Sequence, residues 1–115
     1  MDRIYKAFFH SLDGLKHALL TERAVRQEAV LLIVALPVAI VLAKTAWVFA
    51  ALIGSLLAVV AIELLNTAIE KLSDHVTPER HDDIKIVKDL GSAAVLMGLL
   101  SALLVWITAI ADWLW

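Results

Sequence analysis

The sequence has no cysteine, and only two prolines and four glycines in 115 residues. Without cysteine there is no disulfide and no thiolate ligand, so any metal has to be held by oxygen or imidazole. The phosphate loop GxxxxGK[ST], the catalytic-loop and DFG triplets of soluble protein kinases, HExxH, GxSxG and every Cys/His metal pattern are also absent. The histidines at 10, 17, 75 and 81 have no ligand spacing and read as interfacial or solvated side chains. The net charge of −2 gives no sign of a nucleic-acid partner. No lysine or arginine follows residue 111.

What is abundant is apolar surface. Hydrophobic residues make up 62% of the chain and its mean hydropathy is +0.86, against about 45–50% apolar in soluble domains. Uncharged apolar runs cover 29–43, 46–62 and 90–111. The third alone has the roughly 20 residues that a bilayer requires, and the first two reach that length once polar flanks such as Lys44 snorkel. One long buried segment over 29–62 is disfavoured, because Lys44 and Thr45 interrupt it where a tight turn would fall. The expected architecture is an all-α integral membrane protein forming one domain over 1–115. Its transmembrane helices lie at about 27–44, 46–70 and 86–112, with a polar cytoplasmic loop at 73–84.

Five basic residues (Arg3, Lys6, Lys16, Arg23, Arg26) precede the first span and four (Lys71, Arg80, Lys85, Lys88) separate the second from the third. The positive-inside bias therefore places the N-terminus in the cytoplasm and the C-terminus outside, as an odd span count requires. No cleavable leader is apparent ahead of the apolar run that begins at residue 29. Residues 3–21 space Ile4, Phe8, Leu12, Leu15 and Leu19 as an amphipathic helix, too polar to span and suited to the membrane surface. Ala93, Ala94, Gly98, Ser101 and Ala102 offer close-approach faces for helix packing.

The stretch "AIELLNTAIEKLSD", 61–74, carries polar residues out of an oily run. With about 100° per residue, Glu63, Asn66, Glu70 and Asp74 fall within about 80° of arc along roughly 16 Å of helix. A carboxylate at the bilayer centre costs roughly 2.5–3.5 kcal/mol on insertion scales and is normally retained for a task, and Glu63 avoids the full cost by lying near the cytoplasmic end of its span. Carboxylates a turn apart, beside an amide, suit a hard cation and leave another carboxylate free as a base. Lys88, Asp89 and Ser92 open the third span, and Glu22, Arg26 and Glu28 precede the first, all at one membrane depth. These groups are those that bind a metal–nucleotide complex and stabilise a migrating phosphoryl group. From the residues alone, the protein is a membrane enzyme or transporter with a cation-binding interfacial site.

"ELLNTAIEKLSDHVTPERH" followed by "KDLGSAAVLM", with "ERAVRQEA" upstream, closely resembles the signature of the bacterial diacylglycerol kinase family. That resemblance implies a homotrimer, each subunit with a surface helix and three spans, unrelated to soluble kinases. It implies transfer of the ATP γ-phosphate to the primary hydroxyl of sn-1,2-diacylglycerol, at interfacial sites shared between subunits. By matching motif, Glu63 is the expected catalytic base, and Glu22 and Glu70 the expected ligands of Mg²⁺. Asn66, Lys88 and Asp89 complete the polar site, with Lys88 on phosphate oxygens. Arg3 assists both substrates, while His10, Glu79, Arg80 and His81 border the nucleotide. Glu28 and Ser92 approach the lipid headgroup.

Two rivals remain. Undecaprenol kinases keep the chemistry and change the acceptor; the "RQE" and "GSAAV" segments look more like the diacylglycerol type. A small cation-coupled transporter would also use intramembrane carboxylates. Against it, the charged clusters share one side and no polar residue marks a path through the first span.

Overall fold

The computed structural model describes residues 1–115 as four helices: α1 (Asp2–Thr21), α2 (Arg23–Leu42), α3 (Ala46–Val76) and α4 (Asp82–Leu114). α2, α3 and α4 are long and apolar enough to cross a membrane. The break between the first two spans falls at Lys44 and Thr45, as the charge pattern requires. Ala43 and Thr45 take extended backbone angles, and the Thr45 hydroxyl caps α3 by accepting from the Val48 N–H at 3.3 Å. Lys44 Nζ donates to the Asp112 carbonyl at 2.7 Å, tying this turn to the end of α4.

The connection between α3 and α4 differs from the expected loop. Helix persists through Val76 and resumes at Asp82, so only residues 77–81 are non-helical. The Thr77 hydroxyl accepts from the Glu79 N–H at 3.2 Å, forming a local turn around Pro78. Pro78 therefore lies in the turn. Asp82 and Asp83 occupy the first turn of α4, where negative charge complements the helix dipole. The 31 residues of α3 extend roughly 46 Å at 1.5 Å per residue. That length crosses a hydrocarbon core of about 30 Å and carries about three more turns beyond it.

α3 is the central element, with α4 packed along its length and α2 against its other flank. Its buried residues recur every seventh position, Leu52, Val59, Asn66 and Ser73, forming one seam. α4 answers with small residues: Gly91, Gly98, Ala102 and Ala109. Lipid tails are as apolar as leucine, so helix association relies on close approach, and small side chains permit it. Of the small residues expected to serve that role, Gly98 and Ala102 are buried, whereas Ala93, Ala94 and Ser101 face outward. At the end remote from the 77–81 turn, Ala39, Leu42, Leu52 and Ala109 form the apolar cluster. Beside it, the Trp106 indole N–H donates to the Leu52 carbonyl at 3.1 Å. Only 13 of 115 residues are buried, so a single chain leaves most of its apolar surface for lipid or for other copies.

α1 meets α2 at a sharp corner. Glu22 alone separates them, with extended angles of φ −111° and ψ 116°. The last turn of α1 contains no basic residue of its own. Arg26 supplies one from α2, donating through Nη1 to the Leu19 and Leu20 carbonyls, both at 3.2 Å. Arg26→Gln should cost about 0.3–1 kcal/mol, the usual worth of a cation at a helix C-terminus. The expected sign is faster amide hydrogen exchange confined to the end of α1, and unchanged exchange there would contradict the capping role.

Candidate functional site

α3 aligns the polar stripe where it leaves its apolar stretch. Glu63 is half-buried, Asn66 is buried, and Glu70 and Asp74 are exposed. The Asn66 amide donates from Nδ2 to Glu70 Oε1 at 3.1 Å, a bond made possible by their i, i+4 spacing. Asn66 Oδ1 is buried and has no partner. The α1–α2 corner delivers Glu22 to the same place, where its Oε1 lies 3.3 Å from Lys71 Nζ. Glu63 is within electrostatic reach of both Glu22 and Glu70, and Glu28 is within reach of Glu63. Glu28 Oε1 is itself buried without a partner. Glu22, Glu28 and Glu70 therefore each lie within electrostatic reach of Glu63, with the Lys71 ammonium beside Glu22, and a cation would relieve that repulsion.

The donor set fits a hard cation. It offers carboxylate oxygens, the chemistry Mg²⁺ prefers, and Glu28 Oε1 is an acceptor without a donor, whereas Asn66 Oδ1 is packed against Gly91 of α4. No three acidic or histidine side chains of one chain close around a point. That suits an ion that takes one or two protein carboxylates and completes its shell with water and phosphate oxygens.

Beyond Glu70 the stripe runs into a polar cleft of about 300 Å³, bounded by Asp74, the 77–81 turn and the first turns of α4. Lys88 Nζ bonds Asp74 Oδ1 at 2.6 Å, and Lys85 Nζ bonds Asp89 Oδ2 at 2.7 Å. Glu79, Arg80 and His81 form the rim, with His81 Nε2 3.8 Å from Glu79 Oε2. Half-exposed ion pairs of this kind are worth about 0–1 kcal/mol. A polyanion entering the cleft can therefore take Lys88 and Lys85 from their carboxylates at little cost.

One chain thus brings together Glu22, Glu28, Glu63, Asn66 and Glu70, and beside them Glu79, Arg80, His81, Lys88 and Asp89. Arg3 and His10 stay apart on exposed turns of α1, making no hydrogen bond or ion pair, with His10 beside Tyr5, Lys6, Phe9 and Asp13. Ser92 is exposed on α4 and likewise unbonded. Three participants went unassigned at the sequence level. Asp74 belonged to the stripe but had no given role. Lys85 has a readable signal, its i, i+4 relation to Asp89. Lys71 has none, since its partner lies 49 positions away on another element.

Comparison with known proteins gives a consistent result. A family model described as prokaryotic diacylglycerol kinase matches residues 9–110. The diacylglycerol kinase of Escherichia coli strain K12 is 39% identical over 104 residues, covering 90% of this chain and 85% of that protein. That of Helicobacter pylori strain 26695 is 40% identical over 104 residues, covering 90% and 81%. That of Pseudomonas aeruginosa is 39% identical over 108 residues, covering 94% and 88%.

Proposed function

Because the chain belongs to the prokaryotic diacylglycerol kinase family and is a diacylglycerol kinase, we propose that it moves the γ-phosphate of ATP to the primary hydroxyl of sn-1,2-diacylglycerol, giving phosphatidate. The observation that carries this reading is the continuity along α3 of an acidic, cation-seeking cluster with a lysine-bearing polar cleft. Glu63 stands at the depth where a lipid hydroxyl, anchored by its acyl chains, would meet a nucleotide arriving from water. It makes no hydrogen bond or ion pair in the chain, so its carboxylate is free to accept a proton.

The step balances simply. The acceptor oxygen bonds to the γ-phosphorus, its proton passes to Glu63, and the bond from that phosphorus to the bridging oxygen breaks to release ADP. Glu22 and Glu70 would hold Mg²⁺, which neutralises phosphate charge. Lys88 leaves Asp74 for phosphate oxygens, and Asn66 steadies Glu70 through their hydrogen bond. Asp89, Glu79, Arg80 and His81 border the nucleotide. The unpartnered Glu28 oxygen, with Ser92, receives the glycerol headgroup. Holding both substrates at one depth contributes through proximity.

The assembly in this reading is a homotrimer in the bacterial inner membrane, with the N-terminus and the 77–81 turn in the cytoplasm and the C-terminus outside. Supporting it are the basic residues gathered at one end and the outward small residues Ala93, Ala94 and Ser101. α1 would lie on the cytoplasmic surface, its exposed Ile4, Phe8 and Leu12 in the headgroup layer. There Arg3 and His10 could reach the site of a neighbouring subunit.

The test uses purified protein in lipid nanodiscs with Mg-ATP and short-chain diacylglycerol. ADP release should depend strictly on the lipid. Faster turnover of undecaprenol would reassign the acceptor, and ion flux without ADP release would reassign the protein to transport.

A further inference from the structure

Lys71 plays no part in the transfer just described, yet its ammonium stands beside a carboxylate that does. Its Nζ lies 3.3 Å from Glu22 Oε1, bridging α3 to the corner between α1 and α2. It stands about 100° around the helix from Glu70 and lines the groove between α1 and α3 with Ser11, His17 and Thr67. It is not among the residues that line the cleft containing Lys88, so an ATP phosphate in that cleft would not meet it.

We infer that Lys71 is a positioning residue acting through Glu22: its ammonium draws that carboxylate to itself in the metal-free protein and competes with the divalent cation for it. This rests on the assignment of Glu22 as a metal ligand. Two observations separate competition from simple support. Glu22 is placed by backbone, as the one residue between two helices, and Arg26 clamps the adjacent end of α1; its location does not depend on Lys71. The pair is also half-exposed, with side-chain exposures of 52% and 30%, so it is weak enough to open. Removing the ammonium leaves the carboxylate in place, unoccupied and among like charges. A cation should then bind it more tightly.

The experiment compares wild type, Lys71→Met and Lys71→Arg, with Glu22→Gln as reference. The direct readout is Mn²⁺ binding to purified protein without nucleotide or lipid, from loss of the free-ion electron paramagnetic resonance signal. Lys71→Met should bind Mn²⁺ about fivefold more tightly, the most that a half-exposed ion pair is worth. Lys71→Arg should stay within about twofold of wild type, and Glu22→Gln should bind more weakly. In the lipid kinase assay, the Mg²⁺ concentration for half-maximal rate should fall by the same factor in Lys71→Met, with kcat at saturating Mg²⁺ little changed.

Unchanged or weaker Mn²⁺ binding by Lys71→Met overturns the inference, and so does a fall in kcat with no change in metal dependence. If Glu22→Gln binds Mn²⁺ like wild type, or none of the proteins binds it at millimolar concentration, Glu22 takes no cation for which Lys71 could compete, and the inference also fails. None of these outcomes bears on lipid-dependent ADP release, which tests the kinase reading separately.

Discussion

Glu63→Gln should lower kcat by about 10²–10⁴-fold, the contribution of a positioned general base, while the protein stays folded. The substitution keeps the shape of the side chain and removes its capacity to accept a proton. No hydrogen bond or ion pair is lost, because Glu63 makes none in the chain. One member of a repelling group with Glu22, Glu70 and Glu28 is neutralised instead. Thermal stability should therefore hold steady or rise slightly, separating a chemical defect from a structural one. Glu63→Asp keeps the charge and withdraws the carboxylate by one methylene. Misplacement on that scale costs on the order of 10²-fold. Size-exclusion elution, melting temperature and lipid-dependent ADP release, taken on the same preparations, decide the matter. Near-normal turnover by Glu63→Gln would remove the base assignment, and loss of the fold would make Glu63 a structural residue.

How far the chain could be read before its structure varies by element, and the reason is locality. The break at Lys44–Thr45 is legible because one charge and one hydroxyl in an apolar run act on their immediate neighbours, and Thr45 does cap α3. The alignment of Glu63, Asn66, Glu70 and Asp74 is legible because helical period fixes it. The end of α3 is less so. "SDHVTPERHDD" combines turn formers with helix-compatible residues, and the bond between Thr77 and Glu79 settles where the helix stops. Pairings such as Lys71 with Glu22 and Lys88 with Asp74 depend on how separate helices lie together, which no local pattern encodes. Hydropathy is equally silent about which side of a spanning helix meets protein, since lipid and a neighbouring helix are both apolar. The seven-residue seam of α3 therefore becomes visible only with α4 in place.

That seam makes Gly91 the position where one added carbon should do the most harm. Gly91 is buried on α4 directly against Asn66, and a Cβ there would collide with the Asn66 side-chain amide. The amide is short, buried and bonded to Glu70, so it has little room to yield without giving up that bond. Gly91→Ala is expected to lower stability by about 1–3 kcal/mol through overpacking, against a gain of under about 1 kcal/mol in helix propensity. It should also cut kcat on the order of 10²-fold by shifting Asn66 and Glu70. Gly98→Ala is the matched control. Its new Cβ meets the terminal methyl of Ile62 at 2.8 Å, the flexible end of a longer side chain, so a rotamer change absorbs most of the strain. The double variant Asn66→Ala/Gly91→Ala separates the two effects. Removing the amide relieves the collision, so stability should recover relative to Gly91→Ala, and coupling of 0.5–3 kcal/mol is typical for residues in contact. Activity should stay low, since the steadying amide is then gone. Full activity in Gly91→Ala, or a melting temperature equal to that of Gly98→Ala, would mean that α4 does not approach Asn66 as closely as the seam requires.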